Sequence, residues 1–160
     1  MTNIRIGNGY DIHQLKDDLP FIIGGVKIKY HKGIVAHSDG DILLHAITDA
    51  LLGAAALGDI GHFFPDTDPK CKNINSAIIL NTVCDKLRML SFDIVNVDVT
   101  IVLEKPKLAP YINSIKQSVA SLLNISLDNT NIKATTSEKM GFVGRGEGII
   151  CYASVLIEKT

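Results

Sequence analysis

The sequence has 160 residues, of which 46% are hydrophobic and 21% are charged, and its formal net charge is -1. This composition is typical of one globular domain and lacks the excess of basic residues found in general nucleic-acid-binding proteins. The longest apolar run, at residues 50–57, is far shorter than the roughly 18 residues that span a membrane, and no apolar signal segment follows the N-terminus.

The three cysteines, Cys71, Cys84 and Cys151, form no C-x-x-C pair and are odd in number. This number and spacing of cysteines indicates buried or unreactive thiols in a reducing compartment. We therefore expect a single domain over residues 1–160 that acts in the bacterial cytoplasm, or in a plastid if the source organism carries plastids. We expect no nucleic-acid partner and no membrane partner.

The hydrophobic pattern predicts short strands and amphipathic helices along the chain. Apolar side chains recur with a helical period in some segments, and they alternate or run continuously between turn residues in others. In chain order, the predictions are strands at residues 4–12 and 21–28, helices at 41–56 and 75–90, a strand at 95–103, a helix at 110–123, and strands at 132–136 and 149–157. Loops rich in glycine are predicted at residues 58–69 and 141–148.

Glycines and capping residues add local detail to these predictions. Gly7 and Gly9 permit a close backbone approach to the first strand, and the glycine pair at 24–25 predicts a bulge or bend in the second. Either Ser38 or Asp39 is expected to cap the first helix.

This order of elements predicts an α+β fold in which a mixed β-sheet carries helices packed on one face. The segment at residues 95–103 shows the strand pattern most clearly, because Val95, Val97 and Val99 fall on one face and polar side chains fall on the other. The second face of such a sheet would stay exposed to solvent unless another chain packed against it, so the pattern also predicts an oligomer.

Two segments bring together residues that bind metals. Asp11 and His13 project from the same face of the first strand, and His45 lies on the first helix between Asp41 and Asp49, one turn away on either side. Two imidazoles and one carboxylate leave a fourth position open on a zinc ion, as in catalytic sites. Asp49 would then orient His45. The alternative is that these are ordinary polar side chains and that Asp41 only complements the helix dipole.

Two loops suit anionic substrates, and a third loop is acidic. Residues 36–41 lead into a helix N-terminus, where free N–H groups attract phosphate, although a plain capping segment is the favoured explanation of this stretch taken alone. Residues 133–148 combine hydroxyl groups and glycine turns with Glu138, which suits Mg²⁺, and Arg145, which suits a phosphate or an ion-pair partner. Residues 58–69 are either a solvated turn or a lid with functional contacts. Neither a Walker motif nor a dinucleotide-binding motif occurs.

Together these segments resemble the cyclodiphosphate synthases of the non-mevalonate isoprenoid pathway. The resemblance extends over the whole chain, and long motifs in this order are very specific. The matching segments are RIGNGYDIH at 5–13, AHSDGD at 36–41 with His45, TDALLGAAALGDIG at 48–61, FPDTDP at 64–69, Pro106-Lys107, and KATT at 133–136 through Gly148. The sequence departs from the common pattern at Asn8, Leu103, Glu104 and Val143.

The resemblance implies a homotrimeric phosphorus-oxygen lyase with active sites between neighbouring subunits. Its substrate would be 4-diphosphocytidyl-2-C-methyl-D-erythritol 2-phosphate. The 2-phosphate would attack the β-phosphorus, giving 2-C-methyl-D-erythritol 2,4-cyclodiphosphate and CMP. The resemblance further implies zinc or a similar divalent transition metal on Asp11, His13 and His45, and magnesium or manganese at Glu138.

The same resemblance assigns the remaining site residues. His37 and Thr136 would stabilise the transition state. The residues expected to contact the phosphates and the methylerythritol part are Asp11, His13, His37, Ser38, Asp59, Gly61, Phe64, Asp66, Asp68, Phe142 and Arg145. The residues expected to contact cytidine, contributed by the neighbouring subunit, are Leu103, Lys107, Leu108, Ala109, Ala134, Thr135 and Thr136.

Two other functions stay open at the level of sequence. A metal-dependent phosphohydrolase would use the same three metal ligands, but it would also need a water and a general base. A trimeric nucleotide-binding protein would bind without turnover. Arg145 and Glu147 are expected to ring the threefold axis and pair across subunits, either meeting an isoprenoid diphosphate in an axial cavity or serving only as an ion pair that closes the trimer.

Overall fold

The computed structural model describes residues 3–65, 67, 69 and 73–160. The strands are β1 Ile4–Asp17, β2 Ile22–Ile23, β3 Val26–Lys27, β4 Lys32–Ile34, β5 Phe92–Val102, β6 Thr130–Thr135 and β7 Gly148–Lys159. The helices are α1 Ile42–Ala54, α2 Ile60–Phe63, α3 Ser76–Met89, α4 Ile112–Leu123 and α5 Gly141–Gly144, and a short 3-10 helix occupies Leu127–Asn129. Within the described ranges, no helix is long and apolar enough to cross a membrane.

Five strands form one mixed sheet in the order β4-β1-β7-β5-β6, while β2 and β3 form a separate hairpin. Strands β5 and β6 run parallel, and the other neighbours in the large sheet are antiparallel. Helices α1, α3 and α4 pack on one face of this sheet and share one hydrophobic core with it. The predicted α+β fold, with a mixed sheet and helices on one face, is therefore confirmed.

The other face of the sheet is exposed in the single chain and carries large apolar side chains along β1 and β7 among polar ones such as Asn8 and Ser154. Tyr10 and Tyr152 face each other across β1 and β7, with Ile12 close by, and all three side chains are more than 40% exposed. Ile6, two residues before Asn8 on β1, is 75% exposed. Several exposed large apolar side chains on one face indicate an interaction site.

Three local predictions are wrong for identifiable reasons. The predicted strand at 21–28 is a hairpin of two short strands, because Gly24 and Gly25 adopt positive φ angles of 59° and 76° and turn the chain. Val95 leaves the alternation because the register of β5 shifts between Ile94 and Asn96. The loops predicted at 58–69 and 141–148 contain the one-turn helices α2 and α5.

Helix α1 lies unusually close to strand β1, and two glycines allow this approach. A Cβ atom on Gly7 would lie 1.8 Å from the carbonyl oxygen of Ala50, and one on Gly9 would lie 1.9 Å from that of Ala46. Only a residue without a side chain fits between the strand and the helix backbone. This close packing places His45 of α1 beside the strand that carries the other predicted metal ligands.

We expect Gly9→Ala to destabilise the folded chain by about 3 kcal/mol or more, because the helix backbone must move away from the strand. Gly53→Ala is the matched control, since a Cβ there meets nothing within 4 Å and alanine favours the helix by up to about 1 kcal/mol. Denaturant unfolding at one fixed subunit concentration measures both. Equal midpoints for Gly9→Ala and the parent would contradict the proposed steric role.

Candidate metal centre and active-site cavity

The three predicted metal ligands meet at one point between β1 and α1. Asp11 and His13 extend from the same face of β1, and His45 reaches them from the first turn of α1. The Nδ1 atom of His45 lies 3.1 Å from Oδ2 of Asp11, and Nδ1 of His13 lies 3.4 Å from Oδ1 of the same carboxylate. One ligand atom from each residue lies within 4.8 Å of the others, so the three could hold a single ion.

The metal-binding interpretation gains support from an orphaned nitrogen. Nδ1 of His13 is buried, and it has no hydrogen-bond partner among the residues that the structure describes. A buried polar nitrogen without a partner is costly, so its position favours a ligand that completes the site. Two nitrogen donors and one carboxylate oxygen match the preference of zinc and similar divalent transition metals.

Electrostatics link Asp11 and His45 as an ion pair in the absence of a metal. Burial alone would raise the pKa of Asp11, but the nearby imidazoles of His13 and His45 hold it below its usual range. Burial alone would lower the pKa of His45, but the hydrogen bond and charge of Asp11, with the charges of Asp41 and Asp39, raise it. A proton and a metal ion therefore compete for the position between Nδ1 of His45 and Oδ2 of Asp11.

The polar side chains Asp41, His45 and Asp49, one turn apart along α1, each have their own hydrogen-bond partners. Asp41 is fully buried and caps α1, accepting hydrogen bonds from the backbone amides of Gly24, Gly25 and Leu44 at 2.6–3.2 Å. Burial raises the pKa of this carboxyl to about 6, although the three amides favour its ionised form. Asp41 therefore ties the β2–β3 hairpin to α1, and the expected cap at Ser38 or Asp39 is wrong.

The expectation that Asp49 orients His45 is also wrong. Asp49 instead accepts a 2.8 Å hydrogen bond from the amide of Ile60, which anchors the start of α2. The second ring nitrogen of His45, Nε2, lies 2.8 Å from the hydroxyl of Ser76 and 3.1 Å from that of Ser38. No feature of the sequence singles out Ser76, because serine is common in the first turn of a helix.

A cavity of about 360 Å³ opens beside the metal ligands. His37 and Ser38 line one side of it, and Gly61 and Phe64 of the α2 segment line another. Asp59 does not line it but caps α2, accepting a 3.0 Å hydrogen bond from the amide of His62. Asp66 and Asp68 lie outside the described residues. A second cavity, of about 350 Å³, is lined by Phe142 and also by Ile12, His13 and Gln14.

The seven residues expected to contact cytidine line one pocket of about 170 Å³. The pocket is formed where the parallel strands β5 and β6 end, by the segment after β5 and the end of β6. Its lining consists of Leu103, Glu104, Pro106, Lys107, Leu108, Ala109, Ala134, Thr135 and Thr136. The structure thus brings together two segments that are far apart in the sequence.

Thr136 and Glu138 lie together at the rim of this pocket. The hydroxyl of Thr136 donates a 3.1 Å hydrogen bond to the exposed carboxylate of Glu138. Glu138 and Lys139 both have positive φ angles, 54° and 63°, which non-glycine residues rarely adopt. Backbone strain of this kind often occurs at functional sites, and here it directs a carboxylate toward solvent beside a threonine hydroxyl.

The Arg145 and Glu147 side chains pair within one chain. Nε of Arg145 donates a 2.8 Å hydrogen bond to Glu147, and Nη2 donates a second at 3.1 Å, so the pair is bidentate. This hydrogen bond raises the pKa of Arg145 and lowers that of Glu147. Both side chains are exposed, and Arg145 lines neither cavity beside the metal ligands. Pairing across subunits stays a prediction, since within one chain the two side chains pair with each other.

Comparison with known sequences gives one consistent result. A family model described as the YgbB family matches residues 4–158. A curated protein from Idiomarina loihiensis, named 2-C-methyl-D-erythritol 2,4-cyclodiphosphate synthase, is 54% identical over 155 residues, which cover 97% of this chain and 98% of the relative.

Solved structures show the same similarity. The bifunctional IspDF from Campylobacter jejuni matches with a TM-score of 0.95 and 42% identity over 100% of this chain, which spans only 43% of that protein. A Plasmodium falciparum IspF structure, described as a CDP complex, matches with a TM-score of 0.88 and 36% identity. That match covers 100% of this chain and 99% of the other.

Proposed function

This chain belongs to the YgbB family, and from that membership we propose how its site closes a cyclic diphosphate. Its activity is that of its relatives: it converts 4-diphosphocytidyl-2-C-methyl-D-erythritol 2-phosphate into 2-C-methyl-D-erythritol 2,4-cyclodiphosphate and releases CMP. The observation that carries the proposal is the meeting of Asp11, His13 and His45 beside a cavity large enough for a small phosphorylated polyol. We expect the enzyme to act in the bacterial cytoplasm.

We assign one divalent transition metal, zinc by preference, to Asp11, His13 and His45. Magnesium or manganese is assigned to Glu138, whose exposed carboxylate can share a hard cation with phosphate oxygens. When bound, these ions supply Lewis-acid stabilisation of the charge that accumulates as two phosphate groups approach each other. The orphaned Nδ1 of His13 and the strained turn at Glu138 support the two assignments.

The side chains around the cavity hold the substrate in a bent conformation. Ser38, Gly61 and Phe64 enclose the methylerythritol part, and Asp59 supports it by holding α2 in place. An oxygen of the 2-phosphate forms a bond to the β-phosphorus while the bond from that phosphorus to the bridging oxygen breaks. CMP leaves with the electron pair. No protein nucleophile is needed, so catalysis consists of positioning and charge stabilisation.

His37 and Thr136 are proposed to stabilise the transition state from opposite ends of the diphosphate. His37 lines the cavity beside the metal ligands, whereas Thr136 lines the pocket assigned to cytidine and contacts Glu138. Cytidine would occupy that pocket, consistent with the CDP complex of the Plasmodium relative. Phe142, in the neighbouring cavity, would contact the substrate near His13.

We propose a homotrimer whose active sites combine residues of two subunits. In one chain, Asp11 pairs with Cys151 of β7, Cys151 with Ile101 of β5, and Ile101 with Ala134 of β6. Strands β7 and β5 therefore lie between the metal ligand on β1 and the pocket at the end of β6 in the same chain. The two are separated by three strand spacings, about 14 Å in total. The exposed large apolar side chains on one face of the sheet support burial against further copies of the chain, which would bring the pocket of one subunit to the metal ligands of another.

A phosphohydrolase with the same ligands is the competing enzyme class, and a binding protein without turnover is the competing non-enzyme. Product analysis after incubation with the cytidylated substrate and Mg²⁺ separates the three. The proposal predicts equal amounts of CMP and a cyclic diphosphate. A phosphomonoester product without the cyclic diphosphate would support hydrolysis, and bound but unchanged substrate would support the binding protein.

We further propose that Arg145 and Glu147 lie near the threefold axis, where Arg145 meets the diphosphate group of an isoprenoid diphosphate. Both side chains are exposed, so the guanidinium of Arg145 can turn from Glu147 to a phosphate group. Arg145→Leu should weaken binding of such a diphosphate at least about 10-fold while the trimer persists, because a charged hydrogen-bond donor is lost. Calorimetry and light scattering measure the two effects. Dissociation of the trimer with unchanged affinity would instead assign the pair a structural role.

A further inference from the structure

A chain of hydrogen bonds leads away from the metal-binding histidine on the side opposite the metal. Nε2 of His45 lies 2.8 Å from the hydroxyl oxygen of Ser76. The same hydroxyl donates a hydrogen bond to Oδ1 of Asp39. Oδ2 of the same carboxylate accepts a 3.0 Å hydrogen bond from the amide of Ser76. Ser76 is fully buried at the start of α3, so its hydroxyl is shielded from solvent.

The direction of these hydrogen bonds follows from their chemistry. The Asp39 carboxylate also accepts the amide hydrogen of Asp41, so it acts only as an acceptor. The single hydrogen of the Ser76 hydroxyl must therefore point to Asp39. The oxygen of that hydroxyl is left to accept a hydrogen from Nε2 of His45, so this contact requires a hydrogen on Nε2. The hydrogen on Nδ1 faces Asp11 and is the one that a metal ion would replace.

The consequence falls on the other ring nitrogen. When the proton shared by Nδ1 of His45 and Oδ2 of Asp11, which lie 3.1 Å apart, is lost, the hydrogen kept on Nε2 leaves a lone pair on Nδ1. Two acceptor atoms at this distance repel each other unless a cation lies between them. In tetrahedral zinc sites with bonds of about 2.0–2.1 Å, ligand atoms lie about 3.3 Å apart, close to the observed spacing.

We infer that Asp39 and Ser76 are positioning residues that hold His45 in the tautomer and orientation required for metal binding. Their position also links the metal centre to two elements outside β1 and α1, since Asp39 belongs to the segment before α1 and Ser76 opens α3. The inference rests on the proposed metal site. It extends that site by two residues that contact neither the metal nor the substrate. Removing an outer partner of a metal-bound histidine typically weakens metal binding about 10- to 100-fold.

The first test uses the unaltered protein loaded with one equivalent of zinc, which replaces the proton between His45 and Asp11. Nitrogen-15 NMR of labelled histidine should show His45 with its hydrogen on Nε2. The assignment can be made by comparison with His45→Gln. A hydrogen on Nδ1 would overturn the inference, and this result does not depend on enzyme activity or on a variant that folds.

The second test measures zinc affinity by competition with a chromophoric chelator. Ser76→Ala and Asp39→Asn should each bind zinc about 10- to 100-fold more weakly than the parent, and His45 should lose its single tautomer in both. Thr48→Ala is the matched control. It also removes a buried hydroxyl, but that hydroxyl lies on α1 and donates its hydrogen bond to the carbonyl of Leu44. Its zinc affinity should stay within about 3-fold of the parent.

The outcomes separate this inference from the metal assignment. A parent protein that binds no zinc would refute the metal site itself. A parent that binds one zinc ion, with Ser76→Ala and Asp39→Asn binding equally well, would refute the positioning role and leave the metal site intact. Equal weakening in Thr48→Ala would show that any buried hydroxyl near His45 matters, which also overturns the inference.

Discussion

Replacing His45 by alanine is expected to remove the transition metal and to lower kcat/KM by about 10³-fold or more. The loss follows because two ligands cannot hold the ion that neutralises the phosphate charge, and such stabilisation contributes several kcal/mol to the transition state. The fold should survive, since His45 is partly exposed in the cavity and the core beneath it is formed by other residues of α1. Metal analysis by mass spectrometry, steady-state kinetics and light scattering give the three readouts.

The matched control is His31→Ala. His31 is exposed and contacts Asp17 and Tyr30, far from the metal ligands along β1. It should keep one metal ion per subunit and nearly full activity. Full zinc occupancy in the His45→Ala variant would show that the ion binds elsewhere and would remove the basis of the metal assignment.

Mixed trimers are expected to regain activity from two inactive variants. His45→Ala destroys the metal site and leaves the pocket intact, while Ala134→Phe fills the pocket at the end of β6 and leaves the metal ligands intact. Each variant alone should be nearly inactive. Assembled together in equal amounts, they should reach about one quarter of the wild-type activity, because each half of a shared site is intact with a probability of about one half.

The mixing experiment has a clear opposite outcome. If each active site were built within one subunit, every site in a mixed trimer would carry one defect, and no activity would return. Mixtures of each variant with wild-type chains serve as controls for assembly. Recovery would establish that the metal ligands and the pocket belong to different subunits.

The sequence predicted the metal ligands better than it predicted their surroundings. Asp11 and His13 could be paired because side chains alternate along a strand. His45 could be proposed as the third ligand from its polar position on an apolar helix, but its contact with Asp11 depends on how α1 docks on β1. Gly7 and Gly9 were the one local signal of that docking, and the structure shows why they are glycines.

Other features depended on tertiary contacts that no local pattern encodes. Asp49 and Asp39 looked similar in the sequence, but only Asp39 connects to His45, through a serine that lies on a different helix. The pocket at the ends of β5 and β6 requires their parallel pairing, which periodicity does not reveal. The bulge beside Val95 shifted a strand whose alternation seemed unambiguous.

Isotope labelling of the solvent tests the central claim most directly. The purified enzyme, with zinc and Mg²⁺, would turn over the cytidylated substrate in water enriched in oxygen-18, and mass spectrometry would examine both products. Intramolecular attack by the 2-phosphate uses no water, so neither CMP nor the cyclic diphosphate should carry the label. Incorporation of oxygen-18 into a product phosphate would show that water attacks phosphorus, and the chain would then be a phosphohydrolase.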